Sequence, residues 1–413
     1  MVGKKEGPEY DSFGLPATES ADDELNAPPR CSIPTVTVPP DAPKMPDTKS
    51  SENDSLTIPV ELGERSYPII INSGATARDF ADSFVDTLGD VSHAVLIFDA
   101  AVKTTAATAI EESLQGRVDR IDLFEVASGE TSKSVEQLAE LWNQLLDAAT
   151  DRRSVVVAIG GGVVGDLAGF VAASFTRGLR FVQVPTTLLA MVDSSVGGKT
   201  GINLPGGKNM VGAFWQPELV WIDTEFLSTL PDREYVSGLG EVIKYGVIED
   251  ASFFEYLEAN IEGIVSRDPR PTRHAIAMSC ESKARVVADD ERETSGRRAI
   301  LNYGHTFAHA VEATAGYGTM LHGEAVAIGM QMAARLSISL GLCGEELLQR
   351  QTELLAAARL PLEWADADPD KMIPIMMKDK KVAHGNLRFV LPDRIGHVEL
   401  VGEVPEEHVR TCI

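Results

Sequence analysis

The sequence predicts an α/β domain followed by a mostly α-helical one. Two observations carry most of that reading. Up to about residue 230, short β-branched runs alternate with stretches of helical periodicity, the pattern of a parallel sheet covered by helices. Beyond it, segment after segment carries apolar residues at helical spacing, among them "FFEYLEANIEGIV", "HAIAMSCESKARVVADD", "EAVAIGMQMAARLSISLG" and "EELLQRQTELLAAARL". The chain therefore reads as a tail over 1–56, an α/β domain over 57–230 and a mainly helical domain over 231–413, with the cleft between the two domains as the default place for a site.

The elements follow in order. Residues 1–56 hold nine prolines, eleven acidic and five basic residues, a composition that buries too little apolar surface to offset its ordering entropy and reads as disordered. "SLTIPVELGERSYPIIINSG", residues 55–74, reads as two strands joined by a turn at "GERS". "HAVLIFDAAV", residues 93–102, is a short apolar strand ending at Asp99. "SVEQLAELWNQLLDAA", residues 134–149, places Leu138, Leu141, Trp142 and Leu145 on one helical stripe. "SVVVAIGGG", residues 154–162, is a buried strand running into glycines. Near the C-terminus, "LRFVLPDRIGHVELV" reads as two strands.

Composition excludes several classes. Apolar residues make up 44% and aromatics 6%, ordinary for a globular enzyme, and no apolar run reaches the roughly 18 residues of a membrane span. "MVGKKEGPEYDSFG" lacks the apolar core of a secretory signal. The four cysteines are scattered, which argues against a disulfide framework and fits a reducing cytoplasm. A net charge of −25 argues against a nucleic-acid partner.

Two glycine clusters point to anionic ligands. Gly160, Gly162 and Gly165 form G-x-G-x-x-G after a strand and at a helix start, where backbone N–H groups can meet a pyrophosphate. A tight strand–helix turn would use the same glycines. The acidic residue expected about 20 positions on is absent, so a standard dinucleotide fold is not expected, although a nucleotide site is. "VDSSVGGKTGINLPGGKNMVGAF", residues 192–214, places Asp193, Lys199, Lys208 and Asn209 among six glycines, a setting suited to an oxygen-rich anion. It is not a P-loop, because Asp193 occupies the position of that motif's first glycine.

Three of the eight histidines, His305, His309 and His322, lie within 18 residues. "GLGEVIKYG" sets Glu241 and Lys244 at i, i+3 in an apolar helix, where a carboxylate needs a partner or a metal. Glu with two His is a catalytic zinc set. The pair could be His305 with His309, at i, i+4, or one of them with His322; hydrogen-bonded packing histidines are the plain alternative.

These residues resemble the sugar-phosphate cyclase superfamily, and within it the 3-dehydroquinate synthase family, from about residue 58 to 405. The resemblance is carried by "GGGVVGDLAGFVAASFTRG", "VPTTLLAMVDSSVGGKTGIN", "GKNMVGAFWQP", "LPDREYVSGLGEVIKYG", "KARVVADDERE", "LNYGHTFAHAVE", "LHGEAVAIGM" and "KDKKVAHGNLRFVLP". It implies a dehydroquinate synthase-like fold, with a nucleotide-binding α/β domain and a helical metal- and substrate-binding domain. It implies a phosphorus–oxygen lyase of the shikimate pathway that turns 3-deoxy-D-arabino-heptulosonate 7-phosphate into 3-dehydroquinate and phosphate. Transient oxidation by NAD, phosphate elimination, reduction, ring opening and aldol closure occur in one site. NAD and Zn2+, or Co2+ or another divalent ion, are the implied cofactors.

The resemblance also assigns residues. Glu241, His305 and His322 match metal ligands, and His309 matches a histidine that handles the substrate phosphate and relays protons. Asp193, Lys199, Asn209, Lys244, Lys283, Arg298, Asn302 and Lys380 match substrate positions, with Lys381 as the alternative to Lys380. Arg177 matches an arginine supplied across a homodimer interface. Asp99, Glu130, Lys133, Gly161, Gly162, Asp166, Thr186, Thr187, Lys208 and Thr229 match the nucleotide site. Ala101 replaces an amide usual after Asp99. "ERETSGRR" is one residue longer than the usual spacing, which leaves Arg297 as an alternative to Arg298; the latter lies four before Asn302, as in the family. Other cyclases of the superfamily, making an epi-valiolone, a deoxy-inosose or an amino-dehydroquinate, are the nearest alternative, and a metal-dependent alcohol or glycerol dehydrogenase is a further one. Lys283 with Arg298 suits a carboxylated substrate.

Overall fold

The computed structural model describes residues 55–75, 77–316, 318–379 and 387–413. Lys380, Lys381 and residues 1–54 lie outside the described residues. The first half comprises β1 (Leu56–Val60), β2 (Tyr67–Asn72), α1 (Ala77–Leu88), β3 (His93–Asp99), α2 (Thr108–Leu114), β4 (Arg120–Val126), α3 (Val135–Asp147), β5 (Val155–Gly160), α4 (Gly162–Ser174), β6 (Arg180–Pro185), β7 (Lys199–Leu204), β8 (Gly207–Phe214) and β9 (Leu219–Asp223). The second comprises α5 (Asp232–Ile248), α6 (Ala251–Val265), α7 (Pro269–Asp289), α8 (His305–Ala315), α9 (His322–Ser339), α10 (Glu345–Ala357), α11 (Pro369–Asp379), β10 (Phe389–Arg394), β11 (His397–Val401) and α12 (Glu406–Cys412).

β3 ends at Asp99, and the glycine-rich turn opens α4 at Gly162, as the sequence predicts. Ser134 caps α3 by accepting from the Gln137 amide. The first pair of strands is an antiparallel hairpin across the Gly63–Arg65 turn, and β1 starts at Leu56, one residue inside the segment read as a tail.

Seven strands form one sheet in the order β1-β2-β9-β6-β5-β3-β4, parallel except for β1. This is not the 3-2-1-4-5-6 order of the standard dinucleotide fold. Strand residues alternate between two cores. Ala94, Leu96, Phe98, Val155, Val157 and Ile159 face α1 and α2, whereas Val95, Ile97, Val156 and Ala158 face α3 and α4. A third, larger cluster joins Ile69, Ile71, Val220 and Ile222 of β2 and β9 to Leu239, Val242, Phe307 and Val326 of the helical half. The helical half is thus joined by apolar burial to the β1, β2 and β9 side of the sheet. No helix among the described residues is long and apolar enough to cross a membrane.

The second glycine cluster takes a regular form. Its residues form an antiparallel ribbon, β7 with β8, in which Lys199 pairs with Phe214 and Gly201 with Gly212. A Cβ at Gly212 would lie 2.0 Å from the Thr200 carbonyl oxygen, so the glycines serve the close approach of two strands.

Candidate active site

Three helices bring the metal candidates together. Glu241 lies mid-α5, His305 opens α8 and His322 opens α9, and their ligand atoms lie within 4.8 Å of one another. His305 Nε2 is 3.4 Å and His322 Nε2 is 3.5 Å from Glu241 Oε1. Each of the three has a glycine beside it in sequence. A Cβ at Gly323 would lie 1.7 Å from the Ser237 carbonyl oxygen, and one at Gly240 would lie 2.5 Å from the Gly323 carbonyl oxygen, so α5 and α9 meet backbone to backbone. Gly304, at φ 77°, turns the chain into α8. Glu324 fixes the start of α9, accepting from the Leu321 amide at 2.9 Å while Arg233 of α5 holds it bidentately at 2.7 and 2.8 Å.

Both Glu241 carboxylate oxygens are buried without a hydrogen bond, although the Lys244 ammonium ion-pairs with Oε2. Burial alone would raise this carboxyl's pKa; Lys244, His322 and His305 outweigh burial and hold it down. Burial, with Lys244 nearby, pushes His305 well below the ordinary imidazole value. His322 goes the other way: burial opposes its charge, but Glu241 and Glu312 raise its pKa. One buried carboxylate and two imidazoles, their Nε2 atoms turned inward, fit a divalent ion of the zinc or cobalt class.

Asp193 links this set to the sheet. It follows β6 and accepts from Tyr245 Oη at 2.8 Å and from Lys283 Nζ at 2.7 Å. Lys283 Nζ also donates to the Asp193 carbonyl at 2.6 Å. Burial would raise the Asp193 pKa; Lys283 and Lys244 overcome that and set it far below the usual range. Lys283 is shifted down too, since burial, with repulsion from Arg298 and Lys244, costs its ammonium more than Asp193 restores. The folded-state pKa of Asp193 lies below its unfolded value. Its contribution to stability is therefore present above about pH 4 and lost as pH falls below it. Denaturant titrations should show wild type losing stability more steeply below about pH 4 than Asp193→Asn does; equal slopes would show that the pair carries no such linkage.

Arg298 is the buried arginine of its pair, whereas Arg297 is exposed. Its Nη1 donates to the Glu291 carbonyl at 2.8 Å and Nη2 to the Gly197 carbonyl at 3.3 Å. Nε is buried without a hydrogen bond, 3.6 Å from Glu293, which also ion-pairs with Lys199. Arg297 instead bonds Glu249 at 2.5 Å on the exposed side. Asp290 shapes this loop, its carboxylate accepting from the amides of Thr294, Ser295, Gly296 and Arg298. Asn302 closes the 3-10 turn Arg297–Asn302, and the His309 ring is 5.7 Å, edge to face, from His305.

The nucleotide candidates gather at the carboxyl ends of β3, β5 and β6. Asp99 lies beside Gly160, whose added Cβ would be 3.2 Å from its own, and accepts from the Ala101 amide and Ser128 Oγ. Thr186 N donates to the Gly160 carbonyl at 2.9 Å, Thr187 covers Gly161, and Gly162 abuts Ser194, the neighbour of Asp193. Lys133, 4% exposed, donates to Asp166 at 2.7 Å and to Asn209, with Glu130 3.7 Å away. Asn209 is thus brought to the Lys133–Asp166 group, on the nucleotide side. Thr229 donates within its own turn to Phe226 at 3.2 Å. Arg177 is exposed and, with Thr176, has left-handed φ (71° and 48°), a strained placement for residues with side chains.

The sequence reading missed Glu312. It lies on α8 at i+7 from His305 and i+3 from His309, so "HTFAHAVE" presents all three on one helical stripe, and that spacing was the available signal. Glu312 Oε1 is 3.6 Å from His322 Nδ1. The glycine neighbours of the ligand candidates were missed as well.

Comparison with known proteins shows what the chain as a whole is similar to. Two family models match, 3-dehydroquinate synthase N-terminal over residues 123–237 and 3-dehydroquinate synthase C-terminal over residues 238–382. A 3-dehydroquinate synthase of Rhodopirellula baltica is 66% identical over 361 residues, 86% of this chain and 96% of that protein. Among solved structures, a 2-epi-5-epi-valiolone synthase from Streptomyces hygroscopicus with NAD+ and Zn2+ bound superposes with a TM-score of 0.77 at 28% identity, covering 85% of this chain and 97% of that one. A 2-deoxy-scyllo-inosose synthase complexed with carbaglucose-6-phosphate, NAD+ and Co2+ gives 0.77 at 26% identity, covering 86% and 99%.

Proposed function

The chain belongs to the 3-dehydroquinate synthase family, and on that premise we propose how its residues divide the conversion of 3-deoxy-D-arabino-heptulosonate 7-phosphate to 3-dehydroquinate and phosphate. The observation that carries this reading is the junction of the Glu241–His305–His322 set with the Asp193–Lys283 pair, one residue from the contact of Ser194 with the glycine turn. The α/β part, residues 57–230, holds NAD, and the helical part, residues 231–413, holds the divalent ion and most substrate contacts. When bound, NAD supplies a transient oxidation and re-reduction, and the ion supplies Lewis acidity that lowers a hydroxyl pKa.

The chain's own groups do the rest. Glu241, His305 and His322 hold the ion, and Lys244 balances the charge of Glu241. Lys283 and Arg298 meet the substrate carboxylate. Asp193 keeps Lys283 in place, and Lys199 and Asn302 orient the ring. His309 holds the substrate phosphate and moves a proton beside it. Gly161, Gly162, Thr186, Thr187 and Asp99 receive NAD, while Lys133, Asp166, Glu130 and Lys208 close over it, and Asn209, bonded to Lys133, reaches the substrate. Thr229 and Lys380 complete the family's set. The enzyme acts in the cytoplasm as a homodimer in which Arg177 of one protomer reaches the phosphate in the other; its exposed, left-handed backbone setting supports that role.

The test is phosphate release. Purified protein given the heptulosonate phosphate and substoichiometric NAD should release inorganic phosphate over many turnovers, with no net NADH. Turnover on a seven-carbon sugar phosphate lacking the carboxylate would favour another cyclase, and stoichiometric NADH would favour a dehydrogenase.

A further inference from the structure

Both histidines of the ligand set turn Nε2 toward Glu241, but their Nδ1 atoms meet different partners. His305 Nδ1 lies 3.1 Å from the Tyr303 carbonyl, a neutral acceptor two residues away in its own chain segment. His322 Nδ1 faces a carboxylate from another helix, Glu312, at 3.6 Å. Glu312 is 9% exposed. A carboxylate is not left this deep without a task. At 3.6 Å the contact is an ion pair rather than a hydrogen bond. An ion taken up at Nε2 leaves Nδ1–H as the ring's remaining proton, and Glu312 is placed to accept it.

Resting on the reading of Glu241, His305 and His322 as ligands, we propose that Glu312 is a positioning residue of the metal centre. It fixes the His322 tautomer and ring orientation and strengthens Nε2 as a donor. The ligand set is then unequal by construction: one imidazole is oriented by a backbone carbonyl, the other by a charge that substitution can remove.

The experiment is a Co2+ titration of metal-free protein followed by visible absorption, with Zn2+ affinity measured by competition against a chromophoric chelator. The proteins are wild type, Glu312→Gln, Glu312→Ala and His322→Ala. Both Glu312 variants should bind Co2+ and Zn2+ about 10- to 100-fold more weakly and give an altered Co2+ spectrum. Their metal-free thermal midpoints should stay near that of wild type. Unchanged affinity and spectrum in the Glu312 variants, with metal lost in His322→Ala, would overturn the role of Glu312 alone. Wild-type affinity in His322→Ala would overturn the ligand set beneath it. A loss of affinity matched by a loss of metal-free stability would assign Glu312 to packing. Should Glu312→Ala fail to fold, the isosteric Glu312→Gln decides.

Discussion

Glu241→Ala should empty the metal centre and lower the turnover number by about 10³-fold, the equivalent of about 4 kcal/mol of lost transition-state stabilisation. The two inward-facing imidazoles would then lack the anionic corner of their triangle, and Lys244 would lack the buried carboxylate that balances it. His322→Ala should behave likewise. His309→Ala should not, because its ring borders His305 from the side and its nitrogens are not part of the converging set. Metal content after dialysis, read by elemental analysis beside phosphate release, distinguishes the three. Full metal in Glu241→Ala would sink the ligand assignment, and so would metal loss in His309→Ala equal to that in His322→Ala.

The second large effect concerns Lys283. Lys283→Ala should cut kcat/KM by about 10²-fold, the size expected for a lost charge-assisted contact to substrate. The variant should also lose about 2 kcal/mol of stability, because Asp193 keeps its Tyr245 hydrogen bond but loses its nearest cation. The two effects separate in the double variant Lys283→Met with Asp193→Asn, which removes both charges and should recover much of the stability but none of the kcat/KM. An unchanged kcat/KM in Lys283→Ala would point to a substrate without a carboxylate.

Much of this site was legible in the sequence because its parts are local. A strand that ends at Asp99, glycines that open a helix, and histidines at i and i+4 are short-range signals. The sheet order was not legible, since β9 lies between β2 and β6 through crossovers that no local pattern records. The β7–β8 ribbon escaped for a different reason: its glycines allow two backbones to touch, and that reads as loop composition. The different settings of Arg297 and Arg298 were not legible either, because adjacent residues on a tight turn differ in burial and not in chemistry. Glu312 was within reach of the same helical spacing that singled out His305 and His309. The significance of Gly240 and Gly323 was not, because a missing side chain gains meaning only from what lies opposite it.

The loop held by Asp290 has a consequence for how such a chain can change over time. The amides of Thr294, Ser295, Gly296 and Arg298 converge on one carboxylate, so the far limb of the loop is fixed and the stretch from Glu291 to Glu293 is outside that grip. A residue gained between Asp290 and Thr294 would lengthen the loop and leave the anchored limb that ends at Arg298 in place. Length and register are uncoupled here by a single anchor. Drift in this segment can therefore accumulate without altering the face shown to substrate, for as long as the aspartate stays.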